Sequence, residues 1–364
     1  MMKHNFCFDT EYQIFKNGKL KEKIDQVSTP QIEGEVQITH HKGNGDRVVF
    51  PAIPMRSLVS GFIQQHFGSG NRLDRIIRLT QTNTAVAITN SALLSYNTAD
   101  NASGSLLIQQ MPTYNNGAVE IILSATCVNG STQRNYYDLQ TGIFINGGTW
   151  QLCTRDLIGT LTLAANESAA VTLTFRFPVS SERAMLNNFF LNFIQLWSAS
   201  PFTTYKNTLG DEVTSIMGTN NTGGLTGSAG IYDATLNTTS RGIVVGSSNQ
   251  AVDWANDYDL KAKIAGGSNE GELVAVATTS ANFRSAAASY GTMDATFGII
   301  EHWRDFQNAS PSDITVREAG VIAYASSALF PSPYNYMISR WLTGDILVKR
   351  NETLRVIWKP KITV

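Results

Sequence analysis

Ser339-Arg340-Trp341-Leu342-Thr343-Gly344-Asp345-Ile346 is a second writing of Thr154-Arg155-Asp156-Leu157-Ile158-Gly159-Thr160-Leu161. Arg155, Leu157, Gly159, Asn166, Glu167 and Val171 each recur 185 positions later, as Arg340, Leu342, Gly344, Asn351, Glu352 and Val356, without a gap. Thr154 against Ser339, Leu161 against Ile346 and Leu163 against Val348 are conservative pairs. So long a period is no solenoid repeat and implies two whole domains of one kind in tandem.

Upstream, Asn129-Gly130-Ser131 answers to Asn308-Ala309-Ser310, and Gly142 to Gly320 at a spacing of 178. The rise from 178 to 185 implies seven extra residues in the second copy, placed in the loop 326–333. Around the matched residues lie short apolar runs at 296–303, 314–325, 336–342 and 354–358. The first copy has its own at 119–127, 137–145, 149–157 and 170–177. Turn residues separate them, as at Pro331-Ser332-Pro333 and Asn351-Glu352-Thr353. Short runs at this spacing predict a β-sandwich. Gly159 and Gly344 are expected at a bend or at positive φ. Arg155 and Arg340, in mid-strand, are expected to pair with a carboxylate or to cap carbonyls on a neighbouring strand.

An apolar helix precedes each sandwich. One spans 55–67 after Phe50-Pro51, with Leu58, Val59, Phe62 and Ile63 on one face. The other spans 182–197 after Phe177-Pro178, with Phe189, Phe190, Phe193 and Trp197 at helical spacing. The second is apolar nearly all round, so it must be buried on several sides, under its own sandwich or against another subunit. The latter option predicts a homo-oligomer. The expected architecture is mainly β: 1–50 as an N-terminal β segment or arm turning at Asn17-Gly18, 51–178 as the first helix-plus-sandwich unit, and 179–364 as the second, longer one.

Composition narrows the function. Charged residues make up 16% of the 364-residue chain, and Ser, Thr, Asn and Gly take their place. The net charge of −1 offers no long-range field to nucleic acid or anionic lipid, so neither is expected as a partner. The start of the sequence has no apolar core of signal-peptide length, and no apolar run reaches membrane-spanning length. Three scattered cysteines, Cys7, Cys127 and Cys153, form no disulfide framework or metal spacing and read as buried thiols of a reducing compartment.

No catalytic signature is present. His40-His41 cannot easily share an ion, because neighbouring strand residues point to opposite faces. Gly68-Ser69-Gly70 follows a helix and lacks the third glycine of a dinucleotide loop. The densest acidic cluster is Asp253-Trp254-Ala255-Asn256-Asp257-Tyr258-Asp259. Carboxylates beside aromatics suit sugar binding or a glycosidase pair. The same residues also suit a turn in which Asp257 or Asp259 caps the short helix that follows, and this second reading is preferred. Trp303-Arg304-Asp305 reads as a strand end. The expectation is therefore a non-enzyme with no catalytic, cofactor or metal residues.

The second unit resembles a group of tailed-bacteriophage virion proteins. Four features in order carry the resemblance: the apolar helix after Phe177-Pro178; Gly242-Ile243-Val244-Val245-Gly246 followed by Asp257-Tyr258-Asp259-Leu260; Asp313-Ile314-Thr315-Val316-Arg317-Glu318-Ala319-Gly320-Val321; and Met337-Ile338-Ser339-Arg340 with a closing strand to Lys361-Ile362-Thr363-Val364. It covers residues 177–364. The resemblance implies a non-catalytic, β-rich particle component of tail, neck or capsid decoration, made in the host cytoplasm and located in the virion. Its partners would be copies of itself and other virion proteins. The alternative is a tail-tip protein that binds a glycan or host receptor, with Asp253, Trp254, Asp257 and Asp259 as its candidate residues.

Overall fold

A computed structural model describes residues 5–26, 33–50, 53–55, 72–85, 102–104, 107–145, 149–197, 202–216, 234–278, 283–285, 297–325 and 334–363. The chain is mainly β, with one helix among the described residues. In chain order the strands are β1 (Asn5–Lys16), β2 (Lys19–Gln26), β3 (Glu33–His41), β4 (Arg47–Val49), β5 (Ile53–Met55), β6 (Arg72–Thr80), β7 (Ala102–Gly104), β8 (Leu107–Asn115), β9 (Ala118–Val128), β10 (Arg134–Ile145), β11 (Thr149–Leu163) and β12 (Ser168–Pro178). Then follow β13 (Arg183–Met185), the helix α1 (Asn187–Trp197), β14 (Phe202–Lys206), β15 (Glu212–Ile216), β16 (Gly242–Gly246), β17 (Val274–Ala275), β18 (Phe283–Ser285), β19 (Phe297–Gln307), β20 (Ile314–Ala325), β21 (Tyr334–Val348) and β22 (Glu352–Thr363).

The duplication extends to the register of the ladders. In β10–β11, Tyr136 faces Leu161, Asp138 faces Leu157, Gln140 faces Arg155 and Gly142 faces Leu152. In β20–β21, Val316 faces Ile346, Glu318 faces Leu342, Gly320 faces Arg340 and Ile322 faces Met337. Both ladders slip at the same two points. The next strands repeat as well: Leu173 faces Leu123 where Trp358 faces His302, and Val171 faces Ile38 where Val356 faces Tyr12. The first copy is thus β3, β4, β6 and β9–β12, and the second is β1, β2, β16 and β19–β22.

This register corrects one sequence pairing. Gly320 stands where Gln140 stands, 180 positions apart, and Gly142 answers to Ile322. The spacing therefore rises from 180 to 185, an insertion of five residues and not seven. It falls between β20 and β21, where eight residues connect the strands against three between β10 and β11. The glycine is there for space rather than for repeat identity. A Cβ at Gly320 would stand 2.7 Å from the Ser339 carbonyl oxygen. Gly320→Ala is expected to cost about 1–3 kcal/mol in chemical denaturation, as overpacking against backbone does. Gly43→Ala, whose nearest atom would be 3.9 Å away, should stay within about 0.5 kcal/mol of wild type. Equal effects at the two positions would refute this assignment.

The N-terminal 50 residues divide between the copies. β1–β2, closed by Asn17 and Gly18 at positive φ, pairs with β22, whereas β3–β4 pairs with β12. Gly159 and Gly344 have φ of 76° and 71°, and the turn residues Asn166 and Asn351 have 61° and 64°. Each turn is tied by the same device. The Asn129 side chain donates to the Leu163 and Thr132 carbonyls, and that of Asn308 to the Val348 and Ser312 carbonyls. The adjacent glutamates accept from backbone, Glu167 from Ala164 and Glu352 from Lys349.

Glu167 also accepts from the Gly43 amide and contacts His40 at 2.8 Å. The two amides, then His40, hold its carboxyl down at about 2 from an ordinary 4.5. A depressed folded value means its contribution is complete above pH 4.5 and is lost as pH falls towards 2. The melting-temperature gap between wild type and Glu167→Gln should therefore be constant above pH 4.5 and narrow below it. Parallel curves down to pH 2 would exclude this role.

The helix starts later than the predicted 182. Arg183–Met185 forms strand β13 against Trp341, Arg340 and Ser339, and the Leu186 carbonyl accepts from Phe189 to open the first turn. Phe189, Phe190, Phe193 and Ile194 are buried. Phe177 of β12 meets the rings of Phe189, Phe190 and Phe193 at 5.8, 5.2 and 5.1 Å, and Phe175 meets Phe193 at 5.0 Å. From Asn188 to Ile194 the helix is buried within the chain, against the closing strand of the first copy. Met55, the first residue of the helix predicted at 55–67, is in strand β5, and the rest of that helix and the loop 326–333 lie outside the described residues.

Candidate functional site

Arg340 sits in β21 between the two ladder slips and is fully buried. Its Nε donates to Glu318 Oε2 at 2.8 Å and its Nη1 to Asp257 Oδ2 at 2.8 Å. The remaining donors reach the Ala251 and Gln250 carbonyls. Glu318 in turn accepts from the Lys261 and Ala262 amides. One arginine thus ties two carboxylates and the 250–262 loop to the β20–β21 hairpin. Gly246 permits the approach, since a Cβ there would stand 2.5 Å from Glu318 Oε1.

The first copy contains a smaller version. Arg155 Nε donates to Asp138 Oδ2 at 2.7 Å, with both side chains fully buried. Its Nη atoms donate to the Thr84 and Ala85 carbonyls. Burial raises the Asp138 carboxyl's pKa against the pull of Arg155. Asp138 and Glu318 are equivalent positions, so both arginines pair with a neighbouring-strand carboxylate and cap carbonyls, as expected.

The acidic turn is brought into this network. Asp257 pairs with Arg340 and, at 2.6 Å, with Lys261. Asp259 accepts from Lys263 at 2.6 Å and from the Leu260 amide, and burial raises its pKa. Asp253 accepts from the Asn256 side chain and from the Ala255 and Asn256 amides, which hold its pKa down. The Asp257 side chain is fully buried, so the three carboxylates do not converge on open solvent. Trp254 lies between Phe190 at 5.9 Å and Tyr114 at 6.5 Å.

Beside this turn is a polar cavity of about 260 Å³, bordered by Asn187, Asn188, Tyr205, Lys206, Glu212 and Asp257. The Asn188 side chain is saturated, donating to the Lys206 and Met337 carbonyls and accepting from the Lys206 amide. Lys206 lies 5.6 Å over the Tyr258 ring. Glu212, opposite Lys206 in the β14–β15 ladder, is exposed.

Arg304, read from sequence as part of a strand end, is fully buried in mid-β19. It donates to the carbonyls of Val276, Arg241, Ile243 and Thr235, and burial lowers its pKa to about 10. It fastens the long excursion before β19. Its counterpart in the first copy is Ala125, so the repeat gave no signal for it. The inward alternation of His302, Arg304 and Phe306 was the signal available. His302 stacks on Trp358, and burial pushes it down to about 3.

Cys127 and Cys153 are both buried, and burial lifts the Cys127 thiol to about 12. Among the described residues no three His, Cys, Asp or Glu side chains gather as metal ligands, and no helix is long and apolar enough to cross a membrane. No protein-family model, curated protein or solved structure shows significant similarity to this chain.

Proposed function

We propose that the chain is a non-enzymatic structural component of a bacteriophage particle, built as two tandem β-sandwiches and assembling through subunit contacts in tail, neck or capsid decoration. The observation that carries this reading is the duplicated register with a buried arginine–carboxylate pair at the same point of each copy. The chain's most deeply buried charges serve its architecture. The inward alternation of β9 and β12 supports the sandwich form of the first copy. The particle itself is taken from the resemblance of residues 177–364 to phage virion proteins. Mass spectrometry of purified particles tests it: the chain should appear at fixed stoichiometry, and its absence would sink the reading.

The polar cavity favours a second reading, a tail-tip protein that binds a glycan or host receptor. Lys206 and Glu212 are its informative positions, because replacing Asp257 would disturb the buried network. Specific retention on a glycan array that is lost in Glu212→Gln and Lys206→Ala would support this reading. Absence of retention would leave the assembly role.

A further inference from the structure

The parts follow one another along the chain as hairpin, hairpin, body, body. β1–β2 comes first and is seated on the last strand, β22, while β3–β4 comes second and is seated on β12. A module duplicated whole would carry each hairpin directly ahead of its own body. Here the second copy's hairpin is separated from its body by the entire first copy and joins the chain through residues 27–32.

The contacts of this hairpin run to the second copy. Its ladder extends through twelve pairs, from Asn5 opposite Thr363 to Lys16 opposite Glu352. Trp341 Nε1 donates to the Tyr12 hydroxyl at 2.6 Å, and Arg183 donates to Thr10. Glu11 pairs with Lys359, and Lys21 with Glu352. The Arg355 guanidinium lies 5.1 Å over the Phe15 ring. Tyr12 and Ile14 are buried in the core. β22 is an inner strand between β19 and β1, so withdrawing the hairpin would uncover its whole edge and the places of those two side chains.

We propose that β1–β2 is an exchangeable hairpin, seated in the assembled protein on β22 of a second copy of this chain. Exchange leaves the ladder, the ion pairs and the buried side chains unchanged. Only the route of residues 27–32 differs, so linker geometry and protein concentration decide between the closed and exchanged forms. The six linker residues reach about 20 Å when extended. The occupant of the β22 edge is specific, because the Tyr12–Trp341 bond and the Glu11 and Lys21 pairs require this hairpin's own sequence. The proposal rests on the assembly reading and supplies it with a joint between copies.

The experiment uses two full-length chains carrying different affinity tags, both with Cys7→Ser. One bears Gln13→Cys and the other Arg355→Cys, positions that face each other across the ladder and are half-buried. After co-expression and oxidation, one tag is captured and the product is run on a non-reducing gel. Exchange predicts a disulfide-linked heterodimer at least about tenfold above the control of Gln13→Cys with Leu209→Cys, an exposed site elsewhere. A yield no higher than the control, with the Gln13→Cys/Arg355→Cys double variant closing only within its own chain, would overturn the proposal. Phe15→Cys with Thr353→Cys repeats the test should loss of Arg355 impair folding. Incorporation into particles is measured separately. A chain present in particles without the cross-link therefore loses the exchange and keeps the assembly role.

Discussion

Arg340→Leu is expected to lose about 3–5 kcal/mol of unfolding free energy, measured by urea denaturation, because it strands buried carboxylates. Glu318 and Asp257 both lose this guanidinium, which leaves Glu318 the Lys261 and Ala262 amides and Asp257 the Lys261 ammonium, and both side chains are fully buried. The leucine fills part of the volume and cannot answer either charge. Arg155→Leu strands only Asp138 and should cost less. The ordering follows from the number of buried carboxylates that lose a guanidinium, two against one, since in both copies the carbonyl caps are lost as well. Adding Glu318→Gln and Asp257→Asn to Arg340→Leu should recover part of the loss, because neutral amides are cheaper to bury than ions. A triple variant no more stable than the single one would show that the arginine acts by packing alone.

Phe177→Ala should cost about 3–5 kcal/mol by the same assay. Phe177 is the side chain on which three rings of α1 converge edge-on, and it leaves from the closing strand of the first copy. Removing it opens a void where the helix meets that strand, and the neighbours cannot collapse into it because Phe175 and Phe193 already pack alongside. The exposed Leu209→Ala should change stability by no more than about 0.5 kcal/mol. A loss at Phe177 as small as at Leu209 would mean that the helix is not held there. A single unfolding transition in wild type that splits in Phe177→Ala would identify this cluster as the coupling between the two copies.

Most of the β-strands were legible because each copy writes the same alternation and the same turns. Arg155 and Arg340 were legible as structural because a residue repeated at a gapless spacing in mid-strand has a fold-level task in both places. Gly320 misled for a local reason: two glycines near one another in an alignment look equivalent, but the ladder slips fix the register and only one of them is pressed against a carbonyl. The late start of α1 was hidden because 183–185 have side chains fit for a helix, while their backbone is claimed by β21. The acidic turn is local structure through Asp253 and Asp259, but the short helix expected after it is a turn with a β-bridge at Lys263, and Asp257 reaches an arginine 83 positions away, which no local pattern carries. The same holds for β1. Nothing near Tyr12 in sequence announces that Trp341 receives it.

Among the described strands, the first to leave the ribosome is the partner of the last. Tyr12 and Ile14 emerge early, and the strand that buries them is complete only when Thr363 has been made. At about 5–20 residues per second, the interval between Lys16 and Glu352 is of the order of tens of seconds. Once Pro178 has been made the first copy holds all of its described strands and can close, whereas the second has the β1–β2 hairpin waiting ahead of the first copy, with Tyr12 and Ile14 uncovered, and an unfinished sheet behind it. Synthesis speed and the density of neighbouring nascent chains thus enter the folding of this protein as physical variables, and slow codons or crowded polysomes between the two copies would lengthen the exposure of that hairpin.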